Sequence, residues 1–197
     1  MSEIREARLL KANSLVKKGF DPYAENFKIS HSSQFLIKKF SHLDNGQEND
    51  FRVAIAGRVL AKRVMGKIAF FTITDQEGQI QLYLDQKIIN SNNENQKVLT
   101  FEDLKEIVDI GDWIGVCGTI KKTNKGELSI KVEKWEMLSK SLQPLPDKWH
   151  GLTDIEKRYR QRYLDLIVNP QSKNVFKTRA KCISFIRRWL DERSFLE

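Results

Sequence analysis

The spacing of hydrophobic and polar residues changes twice along this sequence. Over residues 4–18, apolar residues recur at roughly helical spacing, and Gly19 ends the pattern. Over residues 51–138, apolar and polar residues alternate, which is typical of β-strands. After Pro170 the helical period returns. The polar, irregular residues 20–49 predict a connector with weak structure.

The alternating region contains five predicted strands and one short helix. The strands are predicted at residues 51–59, 66–74, 78–84, 113–119 and beyond Gly126. The helix begins at Thr100 with a sequence that resembles a capping box and ends near Gly111. Three strands, a helix and two strands is the order of the five-stranded OB barrel, which binds oligonucleotides across its second and third strands.

Two adjacent phenylalanines lie on the second predicted strand, where neighbouring side chains point to opposite faces. Phe71 shares a face with Ala69 and Ile73, which suits the barrel interior, so Phe70 points outward. An outward aromatic ring on this strand could stack on a nucleic-acid base, or it could pack under the N-terminal helix or a loop. Polar residues on neighbouring faces favour base stacking, namely Gln81, Tyr83, Glu127, Arg58, Lys62 and Arg63.

Charge is the feature of the composition that adds most to this picture. The 197 residues carry a formal net charge of +8, which favours a polyanionic partner such as nucleic acid or an anionic membrane. Basic residues of the first helix either face solvent or contact a phosphate backbone, namely Lys11, Lys17 and Lys18. The start of the sequence has no secretory signal and no run is long enough to span a bilayer, which predicts a cytoplasmic protein. No histidine or cysteine spacing predicts a metal site.

The remaining residues predict a linker and two helices. Pro144 and Pro146 interrupt helix and sheet. Thr153 and Glu156 predict a capping box, and the helix that follows ends at Asn169 before a second helix.

Four segments resemble the lysyl-tRNA synthetases, the lysine-specific members of the class IIb aminoacyl-tRNA synthetases. They are residues 144–152, 158–166, 63–67 and 126–130. The aspartyl and asparaginyl relatives share the Arg-Tyr-Leu-Asp-Leu core that begins at Arg162, but not the Trp-His-Gly-Leu sequence that begins at Trp149.

The resemblance implies a role for several side chains. In the family, the OB barrel grips the anticodon loop, and an aromatic residue at the position of Phe70 stacks on the central uridine. Gln81 matches the residue that reads the edge of that base, Arg63 a supporting basic contact, and Glu127 a residue near the first anticodon base. Candidate contacts to the tRNA backbone are Lys11, Lys17, Lys18, Arg58 and Lys62.

The resemblance also implies a domain plan that is mainly β with flanking helices. The expected parts are an N-terminal helix and connector (1–49), an OB-fold anticodon-binding domain (50–140), a linker (141–151) and the start of a class II catalytic domain (152–197). The last part carries an incomplete motif 1 and helices of a homodimer interface.

The parent enzyme is expected to activate lysine with ATP and Mg²⁺ and to transfer it to tRNA(Lys). Its motifs 2 and 3 lie beyond Glu197, so we expect this chain to hold no catalytic residue, metal or cofactor and to be inactive alone. Three alternatives are an aspartyl or asparaginyl relative, a free-standing OB-fold RNA-binding protein, and a non-catalytic dimerisation module.

Overall fold

The computed structural model describes residues 3–91, 98–146 and 152–196, and the chain divides into two compact units, Met1–Pro144 and Leu145–Glu197. The first unit contains α1 (Glu3–Lys17), α2 (Ser33–Lys39), β1 (Glu48–Met65), β2 (Ile68–Thr74), β3 (Gln79–Asp85), α3 (Gln86–Ser91), α4 (Phe101–Ile107), β4 (Trp113–Lys122) and β5 (Leu128–Ser139). The second unit contains α5 (Ile155–Arg160), α6 (Arg162–Val168) and α7 (Pro170–Asp191).

The five strands form a closed barrel in the order β1-β2-β3-β5-β4. Neighbouring strands are antiparallel except β3 and β5, which run parallel. The connection between those two strands contains α3, α4 and β4, and it has the length that a parallel pair requires. The predicted OB barrel is therefore confirmed, and so is the predicted capping box of α4, in which Thr100 and Asp103 cap one another.

The barrel interior follows the period of two that the sequence predicted. Ala69, Phe71 and Ile73 on β2 are fully buried, while the residues between them are only partly buried. Phe71 lies opposite Leu82 of β3, which is also fully buried. Because all five strands contribute apolar side chains to one interior, the register of β2 decides which of its residues stabilise the fold.

Strand β1 is longer than predicted because it serves two neighbours. It pairs with β4 over its first half and with β2 over its second half, and the two pairings meet at Arg58. A bulge between Val59 and Ala61 lies within the pairing with β2. A second irregularity follows Cys117 on β4. At the next residue, Gly118, a Cβ atom would lie 2.0 Å from the carbonyl oxygen of Lys131, so only glycine fits there.

The prediction of a weakly structured connector at residues 20–49 is wrong in part, because it contains α2. The Ser32 hydroxyl caps this helix by accepting a hydrogen bond from the Phe35 amide. Leu36 is fully buried, and the Lys39 ammonium lies 3.7 Å from the centroid of the Phe51 ring. A helix of seven residues is too short to show a clear period, so packing rather than pattern stabilises it.

Helix α1 was predicted from its apolar stripe, but that stripe is mostly exposed. Within α1 only Ala12 and Leu15 are buried. Polar contacts hold the helix as well, since Arg8 donates to the Ser141 carbonyl (2.9 Å) and Lys11 forms an ion pair with Asp109 (2.6 Å).

Asp109 belongs to a buried ion-pair network centred on Lys140, a side chain that is 3% exposed. The Lys140 ammonium donates to Asp109 (2.6 Å), to Asp112 (2.7 Å) and to the Ile107 carbonyl (2.7 Å). Burial works to raise the pKa of Asp109, but hydrogen bonds from Lys11 and Lys140 outweigh it and lower that pKa. The network therefore joins the end of β5 to the segment between α4 and β4.

In the second unit, the single helix predicted before Pro170 is two helices, α5 and α6, interrupted at Gln161. The helix cap is Asp154, which accepts from the Lys157 amide, rather than the predicted Thr153. The buried carboxyl of Asp165 holds the two helices to α7. Burial works to raise the pKa of Asp165, yet hydrogen bonds from Asn169, Arg158, Arg162 and Ser172 lower it to about 2.

Residues 147–151 lie outside the described residues. They include Trp149–Gly151 of the family-like block and the second half of the predicted linker. Within residues 3–91, 98–146 and 152–196, no helix is long and apolar enough to cross a bilayer.

The two phenylalanines of β2 should differ in their effect on stability. Phe71→Ala should lower the free energy of unfolding by about 3–5 kcal/mol, because it leaves a cavity in the barrel core. Phe70→Ala should cost much less, because its ring is only partly buried. Urea denaturation of both variants measures this, and the reverse order would show that the strand register is shifted by one residue.

Candidate nucleic-acid interface

The outer face of β2 and β3 presents an aromatic pair. Phe70 lies directly opposite Tyr83, and their ring centroids are 5.6 Å apart at an interplanar angle of 66°. This edge-to-face contact restricts the Phe70 ring. On its other side, Phe70 lies opposite the exposed Arg63 of β1. Phe70 and Arg63 are therefore cross-strand neighbours, and an aromatic residue with an arginine is a combination able to stack on a base and attract its phosphate.

Hydrogen-bonding side chains lie next to this pair. Gln81 occupies the outer face of β3, two residues before Tyr83, and opposite Thr72 of β2. Its Nε2 atom donates to Glu127 (2.9 Å), and its Oε1 atom accepts from the Ser129 hydroxyl (2.8 Å). The side chains predicted to read a base are thus in contact, although 46 residues separate Gln81 and Glu127 in the sequence.

A groove of about 360 Å³ opens beside Gln81. It is lined by Ile37, Phe40, Ser41, Thr72, Gln79, Ile80, Gln81, Lys122, Gly126, Glu127 and Leu128. Apolar walls with a few convergent polar groups are typical of small-ligand sites, and the volume suits a group as small as a base. The sequence did not indicate this groove, because one wall comes from α2. The Ser32 cap preceding Phe35 and Leu36 was the available signal for that helix.

A cluster of ion pairs lies next to the Tyr83 ring. Glu48 of β1 forms ion pairs with Lys121 (2.7 Å) and Lys131 (2.6 Å), and the Lys121 ammonium lies 4.7 Å from the Tyr83 ring centroid. Hydrogen bonds from Lys121 and Lys131 lower the pKa of Glu48. Burial and the nearby Asp85 carboxylate raise the pKa of Tyr83, which keeps its hydroxyl protonated.

The basic residues predicted near the end of β1 are separated by the barrel wall. Lys62 lies opposite the inward Phe71, and its ammonium donates to the carbonyls of Lys105 (2.6 Å) and Val108 (2.7 Å). Burial lowers the pKa of Lys62. Arg63 points to the outer face, and it makes no polar contact with any residue that the structure describes.

Arg58 is half-buried. Its guanidinium donates to the Gly111 carbonyl (2.8 Å) and lies 5.5 Å from the Trp113 ring centroid. Burial lowers its pKa. Lys11 and Lys18 are paired with Asp109 and Asp103, whereas Lys17 is exposed and has no ionic partner among the described residues. Five basic residues were predicted to contact the tRNA backbone. Within residues 3–91, 98–146 and 152–196, Lys17 is the only one of them that forms no hydrogen bond or ion pair through its charged group.

The part of the chain that the structure describes contains no group of three or more His, Cys, Asp or Glu side chains that could hold a metal ion. On the outer face, the structure brings together an aromatic ring, hydrogen-bonding side chains and positive charge.

Comparison with known proteins defines the class of this interface. Residues 53–138 match the family of OB-fold nucleic acid binding domains, and residues 154–197 match the class II tRNA synthetases (D, K and N). The first region covers the barrel and its outer face. The chain therefore combines an OB-fold nucleic-acid-binding domain with a class II synthetase segment.

Similar proteins of known name indicate which class II synthetases this chain resembles. The chain is 83% identical to a lysine–tRNA ligase of Prochlorococcus marinus (strain MIT 9312), with all of this chain and 38% of that protein covered. It is 56% identical to a lysine–tRNA ligase of Synechococcus sp. (strain CC9902), again over the whole chain and 38% of the relative. The chain thus spans well under half the length of these relatives. It belongs to the lysyl-tRNA synthetase family.

Adjacent Lys62 and Arg63 make a matched pair for a test of the outer face. Arg63→Gln should weaken binding of an RNA stem-loop and reduce the slope of log affinity against log salt by about 0.7, because it removes an exposed cation that can contact one phosphate. Lys62→Gln should lower the free energy of unfolding by about 1 kcal/mol, because its carbonyl contacts are lost, and leave RNA binding unchanged.

Fluorescence-anisotropy titrations at several salt concentrations, together with urea denaturation, measure both effects. An equal loss of RNA affinity in the two variants would contradict the placement of these cations on opposite faces.

Proposed function

We propose that this chain is the anticodon-recognition region of a lysine–tRNA ligase and that the outer face of β2 and β3 binds the anticodon loop of tRNA(Lys). The observation that carries the proposal is that the Phe70 ring and Gln81 share the outer face of β2 and β3, the strands that bind ligands in an OB barrel. Neither side chain is needed to close the core, and both belong to chemistry that recognises an unpaired base.

Phe70 supplies the stacking platform in this proposal. A base stacked on an aromatic side chain gains about 1–3 kcal/mol of binding free energy whatever its identity. Tyr83 acts by holding the ring edge-on, since its own face is covered by Lys121. Stacking therefore provides affinity, and the choice among bases falls to the polar groups beside it.

Gln81 supplies the base reading. A glutamine side chain carries one acceptor and one donor group side by side, which complements the N3–H and O4 of uridine. Glu127 lies at hydrogen-bond distance from Gln81 and at the rim of the groove, where it is placed to meet the neighbouring base. Arg63 and Lys17 supply the positive charge that attracts the backbone.

The rest of the proposal concerns the parent enzyme. Its N-terminal helix and connector are residues 1–49, and its anticodon-binding domain is residues 50–140. The linker is residues 141–151, and the catalytic domain begins with residues 152–197. In this proposal the parent activates lysine with ATP and Mg²⁺ in the cytoplasm and transfers it to tRNA(Lys), and the name lysine–tRNA ligase of the relatives supports the joining of lysine to tRNA. Exposed apolar side chains on α7, such as Phe185 and Ile186, support the proposed homodimer contact through this segment.

The 197-residue chain by itself should not activate an amino acid, because the family motifs that bind ATP are absent from its sequence. Exchange of labelled pyrophosphate into ATP measures this step. Lysine-dependent exchange by the purified chain, above that of a mock purification, would contradict the assignment.

Binding of anticodon stem-loops tests the proposed recognition directly. Phe70→Ala should lower affinity by about 1–3 kcal/mol for loops with uridine or cytidine at the centre, because stacking is lost for both. Phe70→Trp should retain affinity, because it keeps a ring. Gln81→Ala should instead reduce the preference for uridine.

Filter binding with the two stem-loops measures these effects, and Tyr23→Ala is the control, since Tyr23 is an exposed aromatic residue outside the barrel strands. Full affinity in Phe70→Ala would refute the stacking role. Equal wild-type affinity for the two loops would refute lysine-anticodon recognition and favour a general OB-fold RNA binder.

A further inference from the structure

A buried hydroxyl fixes the direction of the Gln81 side-chain amide. Ser129 is 0% exposed, and its Oγ atom donates to Gln81 Oε1 at 2.8 Å. Another acceptor, the Glu127 carbonyl, lies farther from the same hydroxyl at 3.3 Å. Since a hydroxyl has a single hydrogen, the shorter contact to Gln81 is the better hydrogen bond.

Glu127 fixes the other end of the same amide. Its carboxylate lies 2.9 Å from Gln81 Nε2, and an ionised carboxylate can only accept hydrogen bonds. If the amide turned by 180°, its oxygen would face the carboxylate. The Ser129 hydroxyl would then have to accept from the amide NH₂ and turn its own hydrogen to the more distant Glu127 carbonyl, so it would exchange a 2.8 Å hydrogen bond for a 3.3 Å one. Both contacts therefore favour the same orientation, with Oε1 toward Ser129 and Nε2 toward Glu127.

The direction of this amide matters because uridine and cytidine present opposite polarity at the same two positions. Uridine offers the O4 acceptor and the N3–H donor, whereas cytidine offers the N4–H donor and the N3 acceptor. A glutamine that rotates freely can pair with either base by exchanging its oxygen and nitrogen. A glutamine held in one direction complements one pyrimidine and places like groups against the other.

We propose that Ser129 is a positioning residue for base specificity, which locks the Gln81 amide so that the site accepts uridine and rejects cytidine. This inference rests on the proposed anticodon recognition and adds a residue that cannot itself touch the RNA, because it is fully buried. The pairing of β3 with β5 places Ser129 directly beside Gln81 in the parallel register.

The test is the ratio of affinities for two anticodon stem-loops that carry uridine or cytidine at the central position. Ser129→Ala should lower the uridine-to-cytidine ratio by about 3- to 10-fold, the fold-change of one neutral hydrogen bond, chiefly through tighter cytidine binding. Thr119→Ala is the matched control, because it deletes a hydroxyl of the adjacent β4 that lies opposite Lys131 rather than beside Gln81. Thermal melting confirms that each variant is folded.

Glu127→Ala releases the other end of the amide and should also lower the ratio. Because Glu127 is exposed, this substitution should leave the fold intact. A double-mutant cycle then separates positioning from a general structural effect. In the Gln81→Ala background, Ser129→Ala should change the ratio no further, because its effect passes through the Gln81 amide.

The outcomes are distinguishable. If the wild-type chain prefers uridine and Ser129→Ala keeps the full ratio, the positioning role is overturned while the proposed function stands. The same holds if Ser129→Ala lowers the ratio equally with and without Gln81. If the wild-type chain shows no preference between the loops, the proposed function itself fails, and the role of Ser129 fails with it.

Discussion

The parallel pairing of β3 with β5 is the contact on which both the core and the interface depend. It joins Leu82 to Ile130 and Leu84 to Val132, all fully buried, and so closes the barrel around its apolar interior. The same ladder places Gln81 beside Ser129 on the way to the outer face. Because the two strands are distant in sequence, this pairing carries a large loop-closure cost, which the buried side chains must offset. Barrel closure and the proposed base recognition thus depend on the same register of β3 and β5.

On β1 and β2, the residues of one face stabilise the barrel, and the residues of the other face belong to the proposed binding surface. Phe71 fills the core, whereas Phe70 stands on the outer face, and Lys62 and Arg63 diverge in the same way. A shift of one residue would exchange these roles completely, since side chains alternate with a period of two. On the outer face, the Phe70 ring is held edge-to-face by Tyr83. The Gln81 amide is held by hydrogen bonds with Ser129 and Glu127. Such preorganisation lowers the entropy cost of binding.

The positively charged side chains of this chain are of two kinds, those that form contacts within the protein and those that are exposed. The first kind stabilises the protein: Lys140, Lys11 and Lys18 are paired with acidic residues, and Lys62 donates to backbone carbonyls. A net charge of +8 pointed to a polyanionic partner, but it could not indicate which cations are engaged internally. That distinction depends on where α1 and α4 lie relative to the barrel, which is a matter of tertiary contact.

The sequence by itself determined the strand order, the barrel class, the inward and outward faces of β2 and the cap of α4. Each follows from local periodicity or from a short motif whose physics lies within a few residues. The family-like segments added the expected roles of Phe70 and Gln81, which alternation alone left open. Tertiary structure decided the rest: the helix α2 hidden in a polar connector, the break at Gln161, the groove beside Gln81 and the buried hydroxyl of Ser129. These features arise from contacts between residues distant in the sequence, and no local pattern records such contacts.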